Sequence, residues 1–521
     1  MRSKGKLPLG KSTFSDIRLP ENNYLYVDKT QFVHDLVTNG TYYFLSRPRR
    51  FGKSLFLDTI SELFKGSKEL FEGLYIYDKW NWAQTFPVIK IDFTTGDMSS
   101  AQNLKVRIHD ILTQNMRLLP KEHKILESTD LGSKFQWLIS ELAEYYNQKV
   151  VILIDEYDKP IIDNLQVERK EVAIAAREIL RNFFSAIKAS DAHIRFVFMT
   201  GVSKFTQMSL FSGLNNLRDI TINAQFSSIA GYTQSDLETV FADYLENVDK
   251  EEVKRWYNGY NFLGEPVYNP YDILLFFSNE NVFDNYWWET GGTRFLIDIL
   301  KEGKHFIPDL GNLLVGKEIL NAFDIEHIEL SALLWQTGYL TFGETETLLG
   351  TTYFRLKVPN FEVQRSLNTL FYNYLTNLGA EKLRNTQIIR FILKNDFNEL
   401  KKQLTALFAA IPYQNYVNNN LANYEGYYAS VLYTFMASLG FSVIAEDTTN
   451  TGRIDMTLIA PQSIVIIEFK VDKSEEAALE QIKSNLYYEK YLSEGKEIYL
   501  VGIHFSSKTK NIDGFVWEKF Q

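Results

Sequence analysis

The sequence predicts a multidomain α/β protein, and three observations support this class. The chain has 521 residues, more than one hydrophobic core usually serves, so roughly two to four domains are expected. Strand-like runs alternate with helical patterns before residue 230, and a second pattern of this kind begins near residue 418. The stretch between them has a mostly helical texture. We therefore predict a parallel-sheet core over residues 1–230, a helical middle region over 231–410 and a C-terminal α/β domain over 411–521.

Composition and charge exclude several classes of protein. The hydrophobic fraction of 45% and the charged fraction of 23% are typical of soluble globular proteins. Because the chain has no cysteine, disulfides and thiolate metal sites are excluded, which fits a cytoplasmic protein. No apolar run reaches the roughly 18 residues of a membrane span, so no membrane association is expected. The net charge of −10 disfavours bulk nucleic-acid binding but is compatible with a local basic groove.

The N-terminal elements follow a strand–helix alternation. Residues 41–46 form a short aromatic run that predicts a strand, and the apolar residues of 54–64 recur at helical spacing. Residues 149–158 form a continuous β-branched run that ends in acidic residues, as a buried parallel strand does. Further elements are predicted as strands over 87–94 and 193–201 and a helix over 165–190. This order predicts a parallel α/β sheet.

The first candidate site is the loop between the first strand and the first helix, which contains Gly52, Lys53 and Ser54. The usual phosphate-binding loop is G-x-x-x-x-G-K-[ST], whereas this chain has Arg47 in place of the first glycine and Pro48 after it. Backbone N–H groups at a helix N-terminus bind phosphate, the lysine reaches the β- and γ-phosphates, and the following hydroxyl holds Mg²⁺. A basic surface turn is the alternative interpretation, since arginine permits the sharp turn less easily than glycine.

A second motif, at the end of the β-branched strand, supports nucleotide binding. Asp155 lies where that strand ends, and a carboxylate there can hold Mg²⁺ through Ser54 and water. Glu156 follows it and can polarise an attacking water. The alternative is a strand that ends in solvated acids. Thr200 and Ser203, at the end of the next strand, either lie beside the γ-phosphate or only cap a turn.

These motifs belong to seven segments that resemble the bacterial AAA-ATPase-like family, namely YLYVDKT (24–30), FLSRPRRFGKS (44–54), LFEGLYI (70–76), ILIDEYD (152–158), TGVSKF (200–205), LFSGLNNLRDIT (210–221) and WYNGYNF (256–262). The resemblance implies a P-loop ATPase fold related to AAA+ and STAND proteins, in which arginine before the proline is ordinary. By match, Gly52, Lys53 and Ser54 would bind the phosphates of ATP. Ser54 and Asp155 would hold Mg²⁺, and Glu156 would activate water.

The three arginines of the loop allow three interpretations. Arg47, Arg49 and Arg50 could contact nucleotide phosphates, act as a sensor in a neighbouring subunit's site, or pair with local acids. We favour local structural pairing.

The C-terminal domain carries the second candidate site. Its pattern predicts helices over 424–439 and 474–493 and strands over 441–446, 453–460, 463–470 and 497–505. Twelve residues separate Asp455 from Glu468, and Lys470 completes a D-x₁₂-E-x-K pattern. Glu468 and Lys470 are two apart on a strand and therefore lie on one face. A hairpin through residues 460–463 would bring Asp455 beside Glu468.

Two carboxylates and a lysine suit metal-dependent cleavage of a phosphodiester. Asp455 and Glu468 can bind Mg²⁺, which activates water, while Lys470 can orient that water and neutralise charge. The pattern resembles the PD-(D/E)xK nuclease superfamily over about residues 418–505, which implies a restriction-endonuclease-like α/β fold. The alternative is a cross-strand ion pair on a solvated face. The charges interrupt an apolar strand, however, and buried charge is costly unless it is paired or metal-bound.

Two helices extend the resemblance to this superfamily. Glu425 lies on the helix before the sheet, where a metal-proximal glutamate is common. Gln481 and Tyr487 lie on the predicted helix after the lysine strand, where a glutamine often borders the active site. Ordinary helix-surface positions are the alternative for Glu425 and Gln481. Ile454 stands where the name of the superfamily expects proline.

The middle region carries a weaker signal. Residues 333–342 and 353–363 resemble a winged-helix-like segment, which could contact DNA or pack between domains. Residues 286–295 resemble a lid in which Arg294 is a candidate γ-phosphate sensor, although the aromatic residues there are typical of a core.

Together, the motifs predict an ATPase-like module fused to a nuclease-like domain. ATP binding or hydrolysis would gate or position a Mg²⁺-dependent phosphodiesterase that acts on DNA, with ATP and Mg²⁺ as cofactors. One alternative is a nucleotide-switched regulatory or DNA-binding protein whose nuclease fold does not cleave, and another is an ATPase that acts on protein partners. The sequence does not decide whether the protein forms a homo-oligomer, because AAA+ relatives form rings whereas STAND ATPases rest as monomers.

Overall fold

The computed structural model describes residues 4–120, 128, 130–204, 216–286, 313–321, 329–378, 386–412 and 425–520. They form two compact units. The first contains the chain up to Tyr286 together with Leu314–Asn360, and the second contains Phe361 onwards. The three-domain division with boundaries at residues 230 and 410 remains a prediction.

The first unit is built on a five-stranded parallel sheet. Its strands are β1 (Tyr42–Ser46), β2 (Val88–Asp92), β3 (Val150–Asp155), β4 (Ile194–Gly201) and β5 (Arg218–Asp219), in the order β2-β3-β4-β1-β5. The four strands predicted from the sequence are confirmed, whereas the two-residue β5 was not predicted. Because all strands run the same way, the carboxyl ends of β1, β3 and β4 meet at one edge of the sheet.

Helices surround this sheet and continue into the middle region. They are α1 (Phe14–Arg18), α2 (Thr30–Asn39), α3 (Lys53–Lys65), α4 (Ala101–Asn115), α5 (Leu131–Tyr146), α6 (Lys159–Ile162), α7 (Lys170–Ala189), α8 (Gln234–Val240), α9 (Lys250–Tyr257), α10 (Pro270–Ser278) and α11 (Leu330–Gln336). The predicted helices over 54–64 and 165–190 are confirmed as α3 and α7. None of the helices in the described part of the chain is long and apolar enough to cross a lipid bilayer.

A small antiparallel sheet follows α11. It consists of β6 (Leu314–Val315), β7 (Thr341–Leu348) and β8 (Thr351–Lys357) in the order β6-β8-β7. Residues 333–342 extend from α11 into the start of β7, and residues 353–357 lie in β8; their resemblance to a winged helix remains a prediction. The β7–β8 hairpin exposes the acidic residues Glu344 and Glu346 on β7 and the basic residue Lys357 on β8.

The second unit places helices against a mixed sheet. Its helices are α12 (Phe361–Thr376), α13 (Thr386–Leu393), α14 (Phe397–Ala409), α15 (Glu425–Ser438) and α16 (Glu475–Ser484), and its strands are β9 (Ser442–Thr448), β10 (Arg453–Ile459), β11 (Ser463–Val471), β12 (Glu497–Ser506) and β13 (Asn511–Lys519). The order is β13-β12-β11-β10-β9, in which β11 and β12 are parallel and the other pairs antiparallel. The parallel pair requires the crossover that α16 provides.

Two details of this unit differ from the prediction. The helix predicted over 474–493 ends at Ser484, because Leu486 adopts a left-handed conformation with φ of 54° and a 3₁₀ helix follows over Tyr487–Glu494. Strand β13 was not predicted. Its interior residue Gly514 and its many polar positions weaken the alternating apolar pattern that identifies strands.

Two apolar layers cover the faces of the C-terminal sheet. Ile467 and Phe469 of β11 pack in one core together with Phe435 of α15, whereas Ile464 and Ile466 pack in the other together with Ile482 of α16. Alternate residues of β11 thus enter different cores, as the two-residue period of a strand requires. Glu468 therefore lies in a strand that is buried on both faces.

Candidate functional site

The phosphate-binding loop is closed around its own lysine. Lys53 is buried, and its ammonium donates hydrogen bonds of 2.9 Å to the carbonyls of Arg47 and Pro48. Gly52, immediately before α3, has φ of 87°, and a Cβ there would meet no atom within 4 Å. The glycine is therefore required by its backbone conformation and not by crowding.

The edge of the sheet brings Ser54, Asp155 and Thr200 together. The Ser54 hydroxyl donates to Oδ2 of Asp155 at 2.5 Å, and the Thr200 hydroxyl donates to Oδ1 at 2.5 Å. The pairing of β4 with both β1 and β3 explains this meeting, since it aligns the three strand ends. Hydroxyl and carboxylate oxygens of this kind are the ligands that Mg²⁺ prefers.

Glu156 follows Asp155 in a left-handed conformation with φ of 48°. Its backbone N–H donates to Oδ1 of Asp155 at 3.1 Å, and it lines the same cavity as Lys53 and Ser54. Burial raises the pKa of the Glu156 carboxyl, while the ammonium of Lys53 opposes that rise. A carboxylate with a raised pKa is suited to accept a proton from water.

The cavity beside the loop has a volume of about 310 Å³, close to the lower limit of small-molecule sites. Its wall combines the loop with segments from several other parts of the first unit, namely residues 8–12, 25–29, 229–232 and 270–274. The guanidinium of Arg50 lies 4.1 Å from the centre of the Tyr271 ring at this wall. The cavity thus adds apolar and aromatic surface to a phosphate-binding loop.

Arg47 has a structural role. Its side chain is buried, and its guanidinium donates to the carbonyls of Ser46, Thr221 and Phe226 at 2.9, 2.7 and 3.2 Å. It also lies 3.7 Å from the centre of the Phe262 ring. Of the three interpretations, local pairing holds for Arg47, although its hydrogen-bond partners are carbonyls and not acids. Burial lowers its pKa to about 9.

Asp158 was missed by the sequence analysis. Its buried Oδ2 accepts hydrogen bonds from the N–H of Val202, the N–H of Ser203 and the Ser203 hydroxyl at 2.9, 2.6 and 2.7 Å. A Cβ on Gly201 would lie 2.8 Å from Oδ1 of Asp158. These bonds tie the segment after β4 to the segment after β3, and Ser203 therefore serves this junction. The only sequence signal for Asp158 was its place as the third acidic residue of the D-E-Y-D run at the end of β3.

The second unit brings Asp455, Glu468 and Lys470 together. The register of β10 and β11 pairs Met456 with Ile467, which sets Asp455 beside Glu468. The Asp455 N–H donates to Oε1 of Glu468 at 3.2 Å, and Lys470 Nζ lies 3.6 Å from Oε2 of Glu468. The N–H of Phe469 donates to Oδ2 of Asp455 at 2.8 Å. The predicted hairpin is thus present.

Glu468 is fully buried, and its Oε2 accepts no hydrogen bond from the residues that the structure describes. Burial and the neighbouring Asp455 raise its pKa to about 9. A bound cation would offset the repulsion between the Asp455 and Glu468 carboxylates and would coordinate Oε2 of Glu468. The pair therefore fits a divalent metal. Across the described ranges, however, no group of three or more histidine or acidic side chains is placed to hold a metal.

The helical candidates differ in how the structure supports them. Burial and the charge of Asp455 raise the pKa of Glu425, which therefore lies within electrostatic reach of the acid pair. Gln481 lies partly buried on α16, and its side-chain role remains a prediction. Tyr487 lies beyond the end of α16, in the core, and its hydroxyl accepts a hydrogen bond of 3.0 Å from Asn485. Arg294 lies outside the described residues.

Comparison with known proteins finds two matching domains. The family model of predicted AAA-ATPases matches residues 8–211, and that of the PD-(D/E)XK nuclease superfamily matches residues 423–515. A relative described as an uncharacterized protein in the vnfD 5′ region of Azotobacter chroococcum mcd 1 is 45% identical over 519 residues. The similarity covers 99% of both chains.

Proposed function

Because this chain belongs to the predicted AAA-ATPase family and ends in a PD-(D/E)XK nuclease superfamily domain, we propose that it is an ATPase that controls a Mg²⁺-dependent DNA phosphodiesterase. The two domains make it a nucleotide-binding protein with a nuclease-like domain. Hydrolysis, DNA as the substrate and the control of one site by the other are the proposed steps.

The meeting of Ser54, Asp155 and Thr200 at one edge of the sheet carries the ATPase half of the proposal. Lys53 would exchange its two loop carbonyls for phosphate oxygens, and Ser54 with Asp155 would hold Mg²⁺. Glu156 would accept the proton of the attacking water. The apolar part of the cavity would then enclose the base and ribose.

The convergence of Asp455, Glu468 and Lys470 carries the nuclease half. Asp455 and Glu468 would hold Mg²⁺, which when bound lowers the pKa of a water and stabilises charge on the phosphate. Lys470 would place its ammonium against the developing negative charge. Glu425, within reach of Asp455, would assist through its carboxylate.

Control by ATP is proposed because uncontrolled cleavage of DNA is harmful to a cell. A nucleotide site that alternates between occupied and empty states supplies the two-state element that such control needs. In the loop of the first unit, Lys53 donates to the carbonyls of Arg47 and Pro48, and these bonds would change on binding phosphate.

The decisive experiment measures cleavage of single- and double-stranded DNA with Mg²⁺ or Mn²⁺, with and without ATP. We expect cleavage by the wild type, loss in Lys470→Ala by about 100-fold or more, and an altered rate in Lys53→Ala or without ATP. Cleavage that Lys470→Ala leaves intact would refute the assignment of the nuclease site. Equal rates with and without ATP would refute the control.

One observation favours a second candidate, a nucleotide-switched DNA-binding protein that does not cleave. Among the described residues, no third histidine or acidic side chain joins Asp455 and Glu468 in a group placed to hold a metal. This candidate predicts DNA binding with no cleavage under any metal, and ATP hydrolysis that still depends on Lys53. Asp455→Ala would then leave DNA binding unchanged.

A further inference from the structure

A histidine lies beside the lysine of the nuclease-like site. In the parallel pairing of β11 and β12, the register partner of Lys470 is His504. Register partners on neighbouring strands are about 4.8 Å apart and present their side chains to the same face. The side chains of Lys470 and His504 are 19% and 22% exposed, whereas Glu468 is fully buried. Both side chains can therefore reach a ligand that approaches from solvent.

The start of α16 places a carboxylate against this histidine. Oε2 of Glu475 lies 3.9 Å from Nδ1 of His504. Two glycines make room for this contact, because a Cβ on Gly514 would lie 1.9 Å from Oε2 of Glu475, and one on Gly502 would lie 2.3 Å from its carbonyl oxygen. Neither glycine has a positive φ. Glycine is required at both positions because α16 approaches the sheet too closely to leave room for a Cβ.

The other charged groups near His504 are mostly engaged elsewhere. Asp472 acts on it electrostatically, but its carboxylate accepts bonds of 2.9 and 2.6 Å from the N–H and hydroxyl of Ser507. Lys473, in the same loop as Asp472, is exposed and acts electrostatically on Glu425. The carboxyl end of β11 and β12 thus presents Lys470 and His504 near the acid pair, and Lys473 near Glu425.

We infer that His504 contacts a backbone phosphate of the nucleic acid, and that Glu475 is a positioning residue that orients its imidazole. This inference rests on the proposed DNA phosphodiesterase function, which it deepens by adding a substrate contact outside the D-x₁₂-E-x-K pattern. A phosphodiester adjacent to the cleaved one carries a full negative charge, and a strip of cations at the edge of the site would hold it. A purely structural pair would instead stabilise the helix N-terminus without affecting phosphate binding.

The salt dependence of DNA binding separates these two roles. Binding of full-length protein to labelled duplex DNA of arbitrary sequence is followed by fluorescence anisotropy. The buffer contains Ca²⁺ in place of Mg²⁺ and is held at about pH 6, below the ordinary pKa of a free imidazole. His504→Gln removes the charge, His504→Arg retains a cation, and Glu475→Gln removes the orienting charge. Lys519→Gln is the matched control, since Lys519 pairs with Glu497 towards the other end of β12.

We expect His504→Gln to weaken binding roughly 3- to 10-fold and to reduce the slope of log K against log salt by about 0.9. His504→Arg should keep the wild-type slope, and Glu475→Gln should weaken binding at an unchanged slope. Lys519→Gln should match the wild type. If His504→Gln binds DNA with the affinity and the salt slope of the wild type, the inference is overturned and the proposed function still stands. Failure of the wild type to bind or cleave DNA, even at low salt, would overturn both.

Discussion

Replacing Arg47 by methionine tests whether this residue stabilises the fold or binds the nucleotide. Methionine has a similar length but no donor, so the carbonyls of Ser46, Thr221 and Phe226 lose their partner. Hydrogen bonds to charged groups contribute about 2.5 kcal/mol each, or roughly 7.5 kcal/mol for three. The fall in the Arg47 pKa from its ordinary 12.5 to about 9, which burial causes and Asp219 opposes, corresponds to a net cost of about 5 kcal/mol for keeping the guanidinium charged. We therefore expect a net loss of about 2.5 kcal/mol in the free energy of unfolding of the first unit.

Thermal unfolding followed by circular dichroism measures this loss. For a unit of this size, about 2.5 kcal/mol lowers the melting temperature by roughly 5–10 °C. Arg49→Met is the matched control, because the Arg49 side chain is 42% exposed and lies 3.9 Å from Asp163, a contact of about 0.5 kcal/mol or less. Binding of a fluorescent ATP analogue is measured at a temperature at which both variants are folded. An unchanged melting temperature, or loss of ATP binding by folded Arg47→Met, would refute the structural role.

Three further predictions address the two sites. Thr200→Val should reduce ATP hydrolysis about 10- to 100-fold with less than a 3-fold change in ATP affinity, since it frees one oxygen of Asp155; equal losses in both quantities would contradict this. Glu468→Gln should change the melting temperature by less than about 3 °C without metal, because glutamine resembles the protonated carboxylic acid that burial favours at this position. The same variant should abolish cleavage and any stabilisation by Mg²⁺. Retained stabilisation by Mg²⁺ would exclude Glu468 as a ligand. Gly201→Ala should lower the free energy of unfolding by about 1–3 kcal/mol, because its Cβ would lie 2.5 Å from the Tyr157 ring; urea unfolding at wild-type stability would contradict the packing argument.

The local elements of both sites were predictable because they depend on short-range patterns. A β-branched run that ends in acids identified β3, and the spacing of apolar residues identified α3. The D-x₁₂-E-x-K spacing with a turn at residues 460–463 likewise predicted the β10–β11 hairpin. In each case the residues that form the element, or the pair of elements, are close in sequence.

The contacts that only the tertiary structure decided join residues far apart along the chain. In the sequence, Arg47 is a departure from the glycine expected in the loop. In the structure its guanidinium donates to carbonyls 174 and 179 positions later along the chain. These carbonyls come together only after β5 has joined the sheet. Asp158 meets Ser203 because β3 and β4 pair. His504 meets Lys470 for the same reason in the second sheet.

The sequence by itself therefore determined the two modules, most of their strands and helices, and the residues of the phosphate loop and the acid pair. Strand order, register and the close approach of α16 to Gly502 and Gly514 were decided by tertiary packing. The physical reason is that periodicity reports which face of an element is buried, whereas a single chain pattern carries no direct information on which other element covers that face.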